Sequence, residues 1–204
     1  MKLYQSKLSG HSHRARLFLS LAGVPHTLID VDMKSGDHKR PEFLKLNAFG
    51  EVPVLEDEGV VVADSNAILV YVARKIGPNS WFPSDLAHEA EVQRWLSVAA
   101  GKIAYGLCAA RLVALFKAPF DRDEVIARSH QTLQVLERTL SSRRWIAGTS
   151  APTIADVAIY SYVERAPEGD VQLSAYPSVT AWLRRVEAQP GFIPFAPTIP
   201  SLAV

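Results

Sequence analysis

The chain has a single cysteine, Cys108. One thiol forms no intrachain disulfide, and it supplies at most one of the roughly four ligands of a closed zinc site. A disulfide scaffold and a cysteine-built metal centre are therefore excluded. An excess of charge of one sign is also lacking: 22 Lys and Arg against 21 Asp and Glu leave a formal net charge of +1. That balance gives no sign of a nucleic-acid partner or an acidic partner surface. No stretch approaches the roughly 20 apolar residues of a membrane span, so no membrane segment is expected. The opening MKLYQSKLSGHSHRAR meets charge at once and lacks the apolar core of a signal peptide. Together with the lone thiol, this leads to the expectation of a reducing cytoplasm. Internal repeats and low-complexity segments are absent.

What the sequence does have is apolar residues, 48% of 204, enough for one large core or two small ones. Two halves read differently. Over residues 1–76, strand-like runs alternate with helical stretches. A strand at 2–5 leads to a helix at 10–22, which carries Leu17 and Leu21 at helical spacing and is closed by Gly23 and Pro25. A strand at 27–32, a polar stretch at 34–40 and a short helix at 41–46 follow. The runs 52–55 and 60–62 flank Glu56-Asp57-Glu58-Gly59 and read as a β-hairpin. Asp64, Ser65 and Asn66 offer N-caps for a helix reaching 76. The order β-α-β-α-β-β-α implies one sheet with helices packed on it. Residues 77–85 read as a linker. From 86 onward helix follows helix. Val92, Trp95, Leu96, Ala99 and Ile103 mark a long pattern over 86–116, with Gly101 and Gly106 small enough to admit a neighbour. Ile126, Leu133, Leu136 and Leu140 mark the next helix. Thr153-Ile154-Ala155-Asp156 has the form of a capping box. Val179, Trp182, Leu183 and Val186 form the stripe of a last helix, and Pro194, Pro197 and Pro200 make the tail irregular. The domains expected are 1–76 and an all-helical 86–204, joined by 77–85.

The first half resembles a thioredoxin-like domain, whose active-site loop joins the first strand to the first helix. Here that loop is residues 6–11. It holds no Cys-x-x-Cys, so dithiol exchange is not expected, and Ser9 stands at the mouth of the helix. The motifs K-L-Y-Q-S-K-L-S at 2–9, H-K-R-P-E-F-L-K-L-N-A-F-G-E-V-P-V-L at 38–55, D-S-N-A-I at 64–68, A-E-V-Q-R-W-L at 90–96 and T-I-A-D at 153–156 occur in order. On them the chain resembles the glutathione transferases, closest in its first half to their serine-type phi and theta classes. The resemblance covers nearly the whole chain. It implies an α/β thioredoxin-like N-terminal domain plus an all-α C-terminal domain, a cytoplasmic homodimer engaged in detoxification, glutathione as co-substrate, and no metal.

Glutathione offers a glycyl carboxylate, a γ-glutamyl ammonium and carboxylate, and a thiol that attacks only as thiolate. The resemblance implies that Ser9 stabilises that thiolate; a serine that merely caps the helix would look the same in sequence, and Ser6 and Ser12 are nearby hydroxyls. It implies His38 and Lys39 for the glycyl carboxylate, where a solvated basic loop would read alike. Val52, before a cis Pro53, would pair with the cysteinyl backbone, and Asp64 and Ser65 would take the γ-glutamyl end. Two positions depart from the phi pattern: Glu51 stands where Gln is usual, adding a negative charge near an anionic ligand, and Asp64 stands where Glu is usual. Leu8, His11, Tyr105, Arg111 and Phe116 are the candidates for the electrophile pocket between the domains. His11 and His13, two apart, share no helix face, so a metal site is not expected. Cys108 reads as a buried small hydrophobe. The reaction expected is attack of the thiolate on an electrophilic carbon. The same site also suits peroxide reduction, dehalogenation or isomerisation, and the fold also suits a non-catalytic ligand-binding or interaction module.

Overall fold

A computed structural model describes residues 1–198. Pro200 and the last part of the tail lie outside the described residues. Strand β1 (Lys2–Gln5) is followed by helix α1 (Gly10–Leu21), strand β2 (Thr27–Asp30), helix α2 (Pro41–Leu44), strands β3 (Val54–Asp57) and β4 (Val60–Ala63), and helix α3 (Ser65–Lys75). The strands form one mixed sheet in the order β2-β1-β3-β4. Strand β1 runs parallel to β2, with Leu3 opposite Leu28, and antiparallel to β3, with Leu3 opposite Leu55. Because strand side chains alternate between faces, Leu3 and Leu55 enter the main core with α1 and α3. Tyr4 and Val54 pack on the other face with Phe43 of α2.

The hairpin differs from the sequence reading. Pro53 has no N–H to give a ladder, so β3 begins at Val54 rather than at 52. The turn needs only Glu58 (φ 49°) and Gly59 (φ 86°), the double left-handed geometry that matches strand twist. Glu56 and Asp57 therefore stay in the ladder. Asp37–Lys39 forms a single 3₁₀ turn within the stretch read as polar loop.

In the second half, α4 (Leu86–Val98), a π-helical stretch (Ala99–Cys108) and α5 (Ala109–Phe116) make one continuous helix. Helices α6 (Arg122–Leu140), α7 (Ile154–Glu164) and α8 (Pro177–Glu187) complete the layer. The 31-residue helix over 86–116 is long and apolar enough, by length and composition, to cross a bilayer, which the sequence reading did not credit. Its contacts account for that hydropathy: Val92, Trp95, Leu96, Ile103 and Leu107 are buried in the core. A methyl on Gly106 would sit 3.4 Å from Ser129 of α6, at the edge of ordinary contact, so α6 passes close to this glycine without requiring it. Gly101 meets nothing within 4 Å.

The capping box closes as read. The Thr153 hydroxyl accepts from Ala155 N–H, and Asp156 Oδ2 accepts from Thr153 N–H at 2.9 Å. Asp156 does more than cap, because its Oδ1 also accepts from Ile146 N–H and from Trp182 Nε1–H. One buried carboxylate thus ties the start of α7 to α8 and to the loop before α7. Helix α7 packs against α1 and α3, which brings the two halves together beside the loop after β1.

Candidate functional site

Ser9 is the N-cap of α1. Its backbone is extended (φ −89°, ψ 119°) and its Oγ accepts from Ser12 N–H at 3.2 Å. That bond uses an oxygen lone pair and leaves the hydroxyl hydrogen to donate. Capping and donation to a ligand are therefore compatible. Ser12 is buried, with its Oγ occupied by Ser6 N–H, whereas Ser6 lines the same chamber as Ser9. Ser9 is also held from the other half of the chain: Arg111 Nη1 donates to the Leu8 carbonyl at 3.1 Å. The Arg111 guanidinium is 2% exposed, pairs with Glu168 at 2.6 Å and donates to Thr198 Oγ1. Between Phe192 and Thr198 the tail adds Phe195, stacked on His13 at 4.8 Å.

The Ser9 chamber, about 500 Å³, also contains Leu8, His11, Met33, His38, Lys39, Glu51, Val52, Cys108, Arg111, Phe116 and Tyr162. A second chamber of about 550 Å³ holds Asp64, Ser65, Asn47, Phe49 and Pro53. His11, Glu51 and Val52 belong to both, so the two form one groove along the loops before β3 and α3. The Val52–Pro53 peptide is cis, as the resemblance implied, and Val52 lies just ahead of the β3 ladder.

At one end of the groove, the Lys39 ammonium donates to the Phe49 and Gly50 carbonyls at 3.0 and 3.1 Å. An ammonium carries three N–H groups, so one remains for a ligand. The His38 Nδ1 is buried without a partner among the described residues. Gly50 (φ 60°) makes this packing possible, since a Cβ there would lie 2.6 Å from the His38 carbonyl. At the other end, Asp64 Oδ1 accepts from Asn66 and Ala67 N–H at 2.8 and 2.9 Å, capping α3. Ser65 Oγ accepts from Arg14 Nη1 at 2.8 Å.

The histidines separate. His11 stands edge-on to Tyr162 at 5.0 Å on the groove wall. Burial, and then the Arg14 charge, pull its pKa down to about 3, so the ring is neutral. His13 has both ring nitrogens occupied, by Ser161 Oγ and the Ile193 carbonyl, and belongs to the packing of α1 against α7 and the tail. Among the described residues, no three His, Cys, Asp or Glu side chains are grouped as metal ligands.

One pocket residue is corrected. Tyr105 is 61% exposed and lines a different cleft, with Arg94, Lys102 and Arg128. Its place facing Ser9 is taken by Cys108, three residues on, 6% exposed and with burial pushing its thiol pKa up. The widened π-helical turns between 99 and 108 rotate Tyr105 away from the face that an α-helical spacing assigns it. The sequence reading missed Arg14, Met33 and Tyr162. Arg14 left a signal, because a charged residue stands on the apolar stripe of Leu17, Phe18 and Leu21.

Comparison with known proteins agrees with this fold. Residues 8–75 match the glutathione S-transferase N-terminal domain, and residues 108–190 match the C-terminal domain. A probable glutathione S-transferase of Oryza sativa is 33% identical over 93% of each chain. A glutathione S-transferase structure from Pseudomonas fluorescens superposes with a TM-score of 0.90 at 31% identity, covering 96% of this chain and 98% of the other. A glutathione S-transferase-I solved with lactoylglutathione bound gives 0.80 at 29% identity, over 93% and 95%. Four-stranded mixed sheet, helical second domain and matching sequence coincide over nearly the full length, and the chain belongs to the glutathione S-transferase family.

Proposed function

We propose that the chain conjugates glutathione to apolar electrophiles, with the tripeptide lying along the groove and its thiol at Ser9. The observation that carries this reading is the order of groups along one continuous groove. His38 and Lys39 suit the glycyl carboxylate, and the Ser9 hydroxyl suits the sulfur. Asp64 and Ser65, at the α3 N-terminus, suit the γ-glutamyl end. A free thiol ionises near pH 8.5; a donated hydroxyl hydrogen and the positive end of α1 both favour the thiolate. The thiolate forms the new S–C bond, and the leaving group departs with its bonding electrons. Leu112 and Phe116, beside Arg111, supply the apolar wall for the electrophile. Glu51 puts a carboxyl side chain on the shared wall and disfavours electrophiles that bring their own negative charge there.

We further propose a division at residues 77–85, action in a reducing cytoplasm in detoxification, and a homodimer. The dimer is supported by apolar surface: Phe49 is 81% exposed, and Ala67, Val70, Leu96 and Ala100 line a shallow groove between α3 and α4. Relatives carrying the transferase name over most of their length favour conjugation over peroxide reduction, isomerisation or a non-catalytic role. The test is Ser9→Ala beside Ser6→Ala, assayed with a chloronitrobenzene substrate. Ser9→Ala should lose roughly a hundredfold in kcat while glutathione still binds, and Ser6→Ala should lose little. The reverse pattern would move the thiolate contact to Ser6.

A further inference from the structure

Ser65 and His11, which line the second chamber, are backed by the same side chain. Arg14 is 1% exposed on α1. Its Nη1 lies 2.8 Å from Ser65 Oγ, 3.0 Å from Asn66 Oδ1 and 3.3 Å from His11 Nδ1. Among the described residues, its Nε and Nη2 have no hydrogen-bond partner. Among the described residues, no carboxylate comes within ion-pair distance of it: Asp64 acts on it only from further off, and the Asp64 Oδ1 is occupied as the α3 cap. A guanidinium stays charged in proteins, and a buried charge is normally paired, because an unpaired one carries the full cost of its lost hydration. In the free protein, then, a cation sits directly behind the groove wall without its counter-ion.

The surrounding hydrogen bonds direct that charge toward the groove. Arg14 occupies a lone pair of Ser65 Oγ, so the Ser65 hydrogen must go to another acceptor. Among the described residues the acceptor it meets is His11 Nδ1, at a long 3.4 Å. An acceptor arriving in the groove would be a better partner. His11 Nδ1 in turn faces only donors, from Arg14 and Ser65, so the ring proton resides on Nε2.

We propose that Arg14 is a positioning residue whose counter-ion is the substrate itself: the γ-glutamyl carboxylate of glutathione, received by Ser65 and the α3 N-terminus, completes the charge pair that the free protein lacks. This rests on the glutathione reading above. The Arg14 guanidinium lies behind the wall and acts through Ser65 and His11. It holds the Ser65 hydroxyl as a donor and fixes the His11 tautomer.

The test compares Arg14→Met with the unaltered protein on two co-substrates: glutathione, and 4-aminobutyryl-cysteinyl-glycine, the same tripeptide without the γ-glutamyl carboxylate. For Arg14→Met, KM for glutathione should rise tenfold or more with kcat held within about twofold, and KM for the analogue should not change. An equal rise for both co-substrates, or a loss confined to kcat, would overturn the proposal. If Arg14→Met does not fold, Arg14→Lys serves. It keeps the charge but loses the planar fork, and should raise KM for glutathione at least threefold and leave the analogue unaffected; an equal shift for both again overturns the proposal. The unaltered protein separates this claim from its parent. If it fails to melt higher in glutathione or to conjugate it, the glutathione reading itself fails. If it binds glutathione and the analogue equally well, only the role of Arg14 fails.

Discussion

Gly10 follows Ser9 and opens α1, and a single methyl there tests whether the fit between the two halves sets the position of the hydroxyl. The added carbon would lie 2.6 Å from Tyr162 Cζ and 2.7 Å from Cε1, where carbon pairs rest at about 3.5–4.0 Å. Packing resists a retreat of the ring: it is buried, edge-on to His11 at 5.0 Å, with its hydroxyl beside the Cys108 thiol. The start of α1 must move instead, and Ser9 with it. Overpacking on this scale costs about 1–3 kcal/mol, offset by the ~0.5–1 kcal/mol that favours Ala over Gly in a helix. Gly10→Ala should therefore lose up to about 2.5 kcal/mol in urea unfolding, with m unchanged. A misplacement of 1 Å can cost about a hundredfold in rate, and a shift of part of that should lower kcat about tenfold. Gly101→Ala is the control. With nothing within 4 Å of the new carbon, it should stabilise by ~0.5–1 kcal/mol and leave kcat unchanged. A Gly10→Ala protein as stable and as fast as the parent would refute the reasoning.

Two further outcomes are expected. His11 and His13 have pKa values pulled down to about 3 and about 4, with burial the main cause. Unfolding returns both toward ~6.5. The unfolded chain then binds more protons, so stability is lost as pH falls from about 6.5 toward 4, with a slope of up to ~1.4 kcal/mol per pH unit for each histidine. Denaturant titrations between pH 7 and 5 should show this slope, and His13→Gln should remove part of it; an unaltered slope would count against His13. Sedimentation should give twice the 22.4 kDa chain mass, and a monomer at micromolar concentration would defeat the dimer proposal.

Local chemistry made much of the fold legible. Strand β1 and helix α1 are read to within a residue because Ser9 starts the helix and Gly23 (φ 65°) ends it. The Thr153–Asp156 box is visible because its hydrogen bonds join residues three apart. What the sequence hides is nonlocal. Nothing near Asp156 announces the indole of Trp182 or the amide of Ile146. Cys108 rather than Tyr105 reaches the Ser9 chamber because a π-helical stretch changes the angle between successive side chains, and residue spacing alone does not show it. Arg14 is hidden for another reason: its charge makes sense only once Ser65, Asn66 and the groove wall are seen around it.

The brace on the Ser9 loop has a consequence for how the protein comes into being. The Leu8 carbonyl is held by Arg111, and Arg111 in turn by Glu168 and Thr198. Synthesis delivers the hydroxyl among the first residues, Arg111 near mid-chain, and the Glu168 and Thr198 that hold Arg111 later still, and N-terminal segments fold first as the chain emerges. On the glutathione reading proposed above, a nascent first half would already carry His38, Lys39, Asp64 and Ser65 while its Ser9 loop was still unbraced. Affinity for the tripeptide would then precede competence to use it, and turnover would begin only when the tail docks.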